Sequence, residues 1–154
     1  MRKFLSALAV CAAALTFSLR ATAGTPIEDL LLRYSTADED ITYAQFVDDE
    51  IPLAMMLLSL RSDGELDFSE QTDSMHRLSF FVVKRGDVAD STVNAFLGSL
   101  NKTLADNYIL LDSDETAKQY MGFVKDEKDR AEVVVVMETE ESIIVIDMIL
   151  STAD

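Results

Sequence analysis

Two neighbouring segments near the C-terminus constrain the fold of this chain more than any other feature, because each is apolar on both of its faces. Residues 133–137 are apolar at every position, and residues 143–150 are interrupted only by Asp147. A strand with one face in water alternates apolar and polar residues, and these two do not. Two interpretations stay open: other elements cover both sides of these strands, or one side is exposed and binds a protein partner or a second copy.

The rest of the C-terminal half follows the two-residue period of β-strands. Strands are predicted at 108–111 and 117–125, ahead of 132–137 and 142–150, and charged stretches of hairpin length separate the last three. Neighbouring strands joined by such short connections pair antiparallel. The sequence therefore predicts a C-terminal β-meander.

The N-terminal half mixes helices and strands. Thr25 and Glu28 form a capping box, in which Glu28 is expected to reach back to the start of a helix. The predicted elements are a helix at 26–34, a strand at 41–47, a helix that contains 53–60, a short helical turn at 69–75, a strand at 76–84 and a helix from Asp87 or Asp90 to about Asn107. The predicted fold class is α+β, with a single, mainly antiparallel sheet and about three helices packed on one face.

The first 23 residues are typical of a secretory signal peptide. Arg2 and Lys3 make a positive start, residues 4–19 are almost wholly apolar, and the triplet Ala21-Thr22-Ala23 matches the cleavage pattern of small residues. An apolar stretch of about 16 residues is short for a membrane anchor, which needs roughly 20. We therefore expect cleavage before Gly24, export to the periplasm or cell envelope, and one domain at residues 24–154 without a membrane span.

The expected cleavage changes both the charge and the cysteine content. The whole chain has 28 acidic and 13 basic residues, a formal net charge of −15. The leader holds three of the basic residues and no acid, so the mature chain would carry −18. Cys11, the single cysteine, lies within the apolar run, where lipid attachment is not expected, and would be removed with it. A chain this acidic is not expected to bind nucleic acid or an anionic membrane.

The residues that many enzymes need are scarce in the expected mature chain. His76 is its one histidine, no cysteine remains, and no Gly-x-Ser-x-Gly motif occurs, so neither a Ser–His–Asp triad nor a zinc site is expected. The glycines are too scattered for a nucleotide-binding loop. We predict a protein that is not an enzyme and has no cofactor.

Acidic turns leave calcium as the metal to consider, because carboxylate oxygens are its preferred ligands. Residues 59–70 can be aligned with an EF-hand loop, but Arg61 would then occupy a ligand position. A solvated turn is the simpler interpretation. The alternative hypothesis for function is a small-ligand or calcium-binding periplasmic carrier, with candidate ligands Asp63, Glu65, Asp67 and Glu70.

Several features of the chain together resemble one protein family. They are the Tyr34-Ser35 helix end, the Met- and Leu-rich run at 41–60, the Gly64 loop, the Val82-Val83-Lys84 strand end, the helix that closes on Leu104 and Tyr108, and the hairpins at 122–125 and 132–150. Over nearly all of its expected mature part the chain resembles the domain-of-unknown-function 4252 family, which consists of short exported proteins of Bacteroidetes.

The resemblance implies a cell-envelope location, a single α+β domain and no established activity or catalytic residue. Envelope proteins of such bacteria are often O-glycosylated at an Asp-Ser or Asp-Thr motif. Ser74, which follows Asp73, is therefore a candidate glycosylation site.

The leading hypothesis for function is a non-enzymatic exported domain that acts through protein–protein interaction or self-association. It depends on the exposed-face interpretation of the two apolar strands. The candidate partner-binding residues are Val133, Val135, Ile143, Val145 and Ile149.

Overall fold

Six antiparallel strands in one sheet and three α-helices make up the part of the chain that the structure describes. The structure is a computed structural model that describes residues 24–61, 74–124 and 129–152. The helices are α1 (Pro26–Ala37), α2 (Ile51–Arg61) and α3 (Asp90–Asn107), and the strands are β1 (Thr42–Val47), β2 (Met75–Lys84), β3 (Ile109–Ser113), β4 (Ala117–Phe123), β5 (Arg130–Glu138) and β6 (Ser142–Ser151). The predicted α+β class, with its antiparallel sheet and C-terminal β-meander, is confirmed.

Some predictions fall on residues outside the described part. They concern the leader at 1–23 with its single cysteine, most of the helical turn at 69–75, and the calcium candidates Asp63, Glu65, Asp67 and Glu70. These stay predictions.

The strand order explains why the last strand is apolar on both faces. The strands lie in the order β1-β2-β6-β5-β4-β3, so β6 is an inner strand between β2 and β5. Val145 of β6 pairs with Phe81 on one side and Val136 on the other. Because successive side chains of a strand point to opposite faces, β6 contributes apolar residues to both layers of the core.

The helices cover the two faces of the sheet unequally. Helices α1 and α3 pack on the face that carries Phe81 and Val145, which we call the helix-pair face. Phe96 of α3 stacks on Phe81 there, with ring centroids 4.7 Å apart. Helix α2 packs on the opposite face, which carries Phe80 and Ile146 and which we call the single-helix face. The prediction that the helices pack on one face is therefore wrong for α2, because both faces of the inner strands are apolar and both need cover.

The start of α1 departs from its predicted capping box. Thr25 is the N-cap, and its hydroxyl accepts a hydrogen bond from the Glu28 backbone N–H at 3.2 Å, as expected. The Glu28 side chain does not return to the N-cap. Instead it is fully buried and turns towards Arg77 of β2. A residue predicted to cap a helix therefore joins a buried ion pair.

Candidate functional site

The five predicted partner-binding residues lie on opposite faces of the sheet. Ile143 and Val145 are fully buried beneath α1 and α3, and Ile149 is 3% exposed. The prediction that these three residues lie on an accessible surface is wrong, because β6 is an inner strand. Val133 and Val135 pair with Met148 and Ile146, which places them on the single-helix face, where both are partly buried.

Accessible apolar side chains continue from Val133 across the outer strands of the single-helix face. Val133 pairs with Met121, and Met121 pairs with Ile109 of the edge strand. Ile109 is 58% exposed and Phe123, two residues beyond Met121, is 75% exposed. We call this surface the apolar half-face; it consists of Ile109, Met121, Phe123, Val133, Val135, Met137 and Leu150. A groove of about 300 Å³ lies in one part of it, lined by Val133, Val135, Met137 and Leu150 together with Asp112 and Lys118.

The edge strand β3 borders the apolar half-face and is protected against pairing. All five of its side chains are exposed, and Leu110 and Leu111 are 52% and 50% exposed. Its register with β4 shifts between Leu110 and Asp112, which marks a β-bulge. Short length and a bulge both discourage the addition of another strand at an edge. The accessible apolar area therefore lies on a sheet face more than along the edge.

At one end of the helix-pair face, ionisable residues are buried inside the protein. Glu28 of α1, Arg77 of β2, Glu132 of β5 and Asp147 of β6 form what we call the buried acid cluster. Each carboxylate in it is at most 1% exposed, and the Arg77 side chain is 15% exposed. Register places Asp147 beside Ser79, and places Glu132 and Arg77 on either side of Ile149. Three acids thus share one guanidinium in a dry environment.

Hydrogen bonds and an ion pair link the cluster to the start of α1. Arg77 Nη2 lies 2.5 Å from Glu28 Oε2. The Thr25 hydroxyl donates to Glu132 Oε2 at 2.6 Å, and the Tyr108 hydroxyl donates to Glu132 Oε1. Burial is the main influence on Glu28 and raises its pKa, which Arg77 offsets in part. These contacts fasten α1 to three strands of the sheet.

Asp147 is the least satisfied member of the cluster. It is 1% exposed, and neither carboxylate oxygen has a hydrogen-bond partner among the described residues. Burial first, and the negative charge of Glu132 second, raise the pKa of Asp147 well above its ordinary value. A charged carboxylate at this position is costly, because it is buried beside a second acid.

Tyr108 reaches Glu132 by lying over a glycine. A Cβ added to Gly122 would be 2.7 Å from two carbons of the Tyr108 ring, so the ring occupies the place of that side chain. Burial, followed by the charge of Glu132, raises the pKa of Tyr108, which keeps its hydroxyl protonated as a donor. Glycine at 122 therefore permits the Tyr108–Glu132 hydrogen bond.

The cluster lacks the arrangement of a metal site. Within the described ranges, no group of three or more His, Cys, Asp or Glu residues is placed to hold a metal ion. Arg77 provides a positive charge among the carboxylates instead. His76, beside it in sequence, is half-buried, with Nε2 2.6 Å from the Ser151 hydroxyl.

Ser74, the candidate glycosylation site, immediately precedes β2. Its side chain is half-buried at the first residue described after position 61. No finding tests whether it is modified, and the assignment stays a prediction.

A third feature is a cavity of about 720 Å³ on the helix-pair face, between α3 and the β-meander. Leu97 and Leu100 of α3 and Tyr120 of β4 line its floor. Acidic residues of two turns lie at its rim, where Arg85 is already paired with Glu138 at 2.8 Å. Its volume lies within the range of sites for small organic ligands.

Comparison of the chain with models of known protein families gives no match, and comparison with curated proteins gives none either. The resemblance to the domain-of-unknown-function 4252 family therefore stays a prediction. In the portion that the structure describes, no helix is long and apolar enough to cross a membrane.

The sequence contained a signal for part of the buried acid cluster. Asp147 stood out as the one polar residue in an apolar strand, and Glu132 as an acid at the start of another. Neither position indicated that the two acids would face the same side. The capping-box pattern gave Glu28 a local role, and nothing in the local sequence connected it to Arg77.

Proposed function

We propose that the protein is a non-enzymatic, exported domain that binds a protein partner through the apolar half-face. The observation that carries the proposal is the exposure of Phe123 and Ile109, 75% and 58%, on the same face as the partly buried Val133 and Val135. Contiguous exposed apolar side chains of this kind mark interaction surfaces. The export part of the proposal rests on the leader-like residues 1–23.

The partner is expected to lie across the sheet face. The bulge in β3 disturbs the row of backbone groups that strand addition needs, whereas the groove beside Val133 and Val135 offers depth for inserted side chains. An amphipathic helix or loop with an apolar strip fits such a groove better than an added strand.

Charge favours a different protein over a second copy. The chain carries a formal −15, so two copies repel each other, and Asp112 lies at the border of the groove. A partner that presents basic residues around its apolar strip complements this surface. Electrostatic attraction would then speed association and weaken with added salt.

Two substitutions on one strand test which face binds. Ile109→Asp introduces a charge into the apolar half-face, whereas Leu110→Asp introduces it at similar exposure on the opposite face of β3. We expect a partner captured from native envelope extract by the unmodified protein to be lost with Ile109→Asp and retained with Leu110→Asp. A photo-crosslinking residue at position 123 should join the same partner.

Equal capture by both variants would contradict the proposal, as would crosslinking from position 110 but not from 123. Light scattering of the purified protein addresses self-association. A dimer that Ile109→Asp dissociates would replace the different-protein partner by a second copy.

The cavity beside α3 favours a second candidate function, the binding of a small amphipathic cation. Asp114, Glu115 and Glu140 lie at its rim with Lys118, while Arg85 is paired with Glu138, so negative charge is in excess above an apolar floor. n-Octylammonium, 1-octanol and octanoate share a tail and differ in charge. The ammonium compound should bind most tightly in calorimetric titration and octanoate least, and the reverse order would reject this candidate.

A further inference from the structure

The N-terminal end of the described chain lies directly against the buried acid cluster. Gly24 precedes the N-cap of α1, and a Cβ placed on it would be 2.5 Å from Glu28 Oε2 and 3.1 Å from Arg77 Nη1. The α-nitrogen and the Cβ of a residue are bonded to the same Cα, so the Gly24 nitrogen lies within about 5 Å of that carboxylate oxygen. The charge state of this nitrogen therefore matters to the cluster.

The cluster is short of positive charge. Glu28, Glu132 and Asp147 are buried, and Arg77 is the basic residue among them. Glu28 Oε2 is a buried oxygen that accepts no hydrogen bond from the described residues, since its contact with Arg77 has the distance of an ion pair without hydrogen-bond geometry. Glu28 and Glu132, which is bound to Thr25, face one guanidinium, and one further positive charge would balance these two carboxylates.

Cleavage before Gly24 would create such a charge at this place. In the uncleaved chain the Gly24 nitrogen belongs to a neutral peptide bond, whereas in the cleaved chain it is an α-ammonium with an ordinary pKa of about 7.7–8.0. We infer that removal of the leader completes the buried acid cluster: the new α-ammonium of Gly24 pairs with Glu28 and stabilises the docking of α1 on the sheet. The inference rests on the cleavage that the proposed function includes.

Two carboxylates, those of Glu28 and Glu132, attract the ammonium, and two influences act against it. Arg77 repels it, and so does the positive end of the α1 dipole, because the nitrogen precedes the first turn. Glu28 is the nearest carboxylate, and Glu132, bound to Thr25 next in sequence, adds to the attraction. Gly24 itself is exposed, so the ammonium stays hydrated on one side and avoids the desolvation cost that Asp147 carries.

The test compares three forms of the purified protein by urea unfolding at about pH 6. They are the full chain, the chain that begins at Gly24 with a free amine, and the same shorter chain with an acetylated amine. We expect the free-amine form to have an unfolding equilibrium constant about fivefold lower than the acetylated form. The difference should disappear at about pH 10, where the amine is neutral in both. The full chain should behave like the acetylated form.

Two variants locate the effect. In Glu28→Gln, acetylation should change stability much less, since only Glu132 still attracts the amine, whereas in Glu39→Gln, an exposed acid in the loop after α1, its full effect should persist. If Glu28→Gln does not fold, an NMR titration of the Gly24 amine in the unmodified short chain serves instead, and we expect a pKa above the ordinary range. Equal stability of the free and acetylated forms, or an amine pKa at or below its ordinary range, overturns the inference.

This test is separate from the test of export. It uses purified chains, so its failure leaves the leader and the partner-binding proposal untouched. N-terminal sequencing of the protein from its native host decides the cleavage position, and a start other than Gly24 would remove the premise.

Discussion

The two faces of the sheet place polar and apolar residues in opposite ways. The helix-pair face encloses three carboxylates and a guanidinium beneath α1, while the single-helix face leaves Phe123 and Ile109 open at its outer strands. A fold optimised only for stability would do the reverse, because buried charges are costly and exposed apolar groups add nothing. The difference shows where each kind of residue lies: the buried acid cluster links α1 to the sheet, and the apolar half-face is the surface to which the proposed function assigns a partner.

The largest effect is expected when the buried ion pair is broken. Arg77→Met leaves the fully buried Glu28 without its cation, and we expect the free energy of unfolding to fall by about 3 kcal/mol, the lower end of the range for buried pairs because Arg77 keeps 15% exposure. Urea denaturation measures it. Arg85→Met, which breaks the exposed Arg85–Glu138 pair, is the control and should cost less than about 1 kcal/mol.

If the two variants lost the same free energy of unfolding, the buried acid cluster would contribute no more than a surface ion pair, and the contrast between the faces would not hold. A second substitution sharpens it. Combining Arg77→Met with Glu28→Gln removes both charges and should recover most of the loss, because the penalty comes from the unpaired carboxylate.

The next effect concerns pH. The pKa of Asp147 is raised in the folded state by burial and then by Glu132, and returns to about 3.9 on unfolding. Between the two values the folded state keeps a proton that the unfolded state has lost. The contribution of this group to stability is therefore complete below the unfolded pKa and is lost as the pH rises through the folded pKa, by up to about 1.4 kcal/mol per unit.

Asp147→Asn should abolish the contribution of this residue to the fall in stability with rising pH. Urea unfolding between about pH 4 and pH 9 should show the variant losing less stability than the unmodified protein as the pH rises. Glu28, whose pKa is also raised, contributes to both curves, so the difference between them reports Asp147. Parallel curves would show that Asp147 is already charged in the folded protein.

The smallest effect is expected on the apolar half-face. Phe123→Ser removes a side chain that is 75% exposed, and the free energy of unfolding should change by no more than about 0.5 kcal/mol. Thermal or urea unfolding of the isolated protein checks this. A loss above about 1 kcal/mol would show that Phe123 is covered in solution, and the half-face would no longer be a free surface.

The sequence predicted the elements well where periodicity was strong. Helix α3 is an example: spacing predicts an apolar stripe of Val93, Phe96, Leu97, Leu100 and Leu104, of which Leu97 is partly buried and the others are buried. Its cap was predicted less well, since Ala89 is the N-cap residue and not Asp87 or Asp90, and no side chain caps it. Periodicity indicates which residues lie on the same side of a helix, whereas the N-cap depends on the backbone conformation at a single residue.

The candidate site was harder to predict because its members meet only through the sheet order. Alternation showed that Val133 and Val135 share a face, but not which helices would cover it. Ile143 and Val145 were assigned to a binding surface because apolar character alone does not distinguish a covered strand from an exposed one. The ion pair of Glu28 with Arg77 spans two elements distant in sequence, and local patterns carry no information about such contacts.

The central position of β6 has a consequence for how the chain acquires its structure. Until the segment Ser142–Ser151 is available, β1 and β2 form one fragment and β3, β4 and β5 form another, and each has an unpaired inner edge. β6 pairs with β5 through a short hairpin, whereas its pairing with β2 joins residues distant in sequence, and such contacts form slowly. A nascent chain of this design stays open until its last strand is made. The order of strands therefore ties completion of the sheet to completion of the chain.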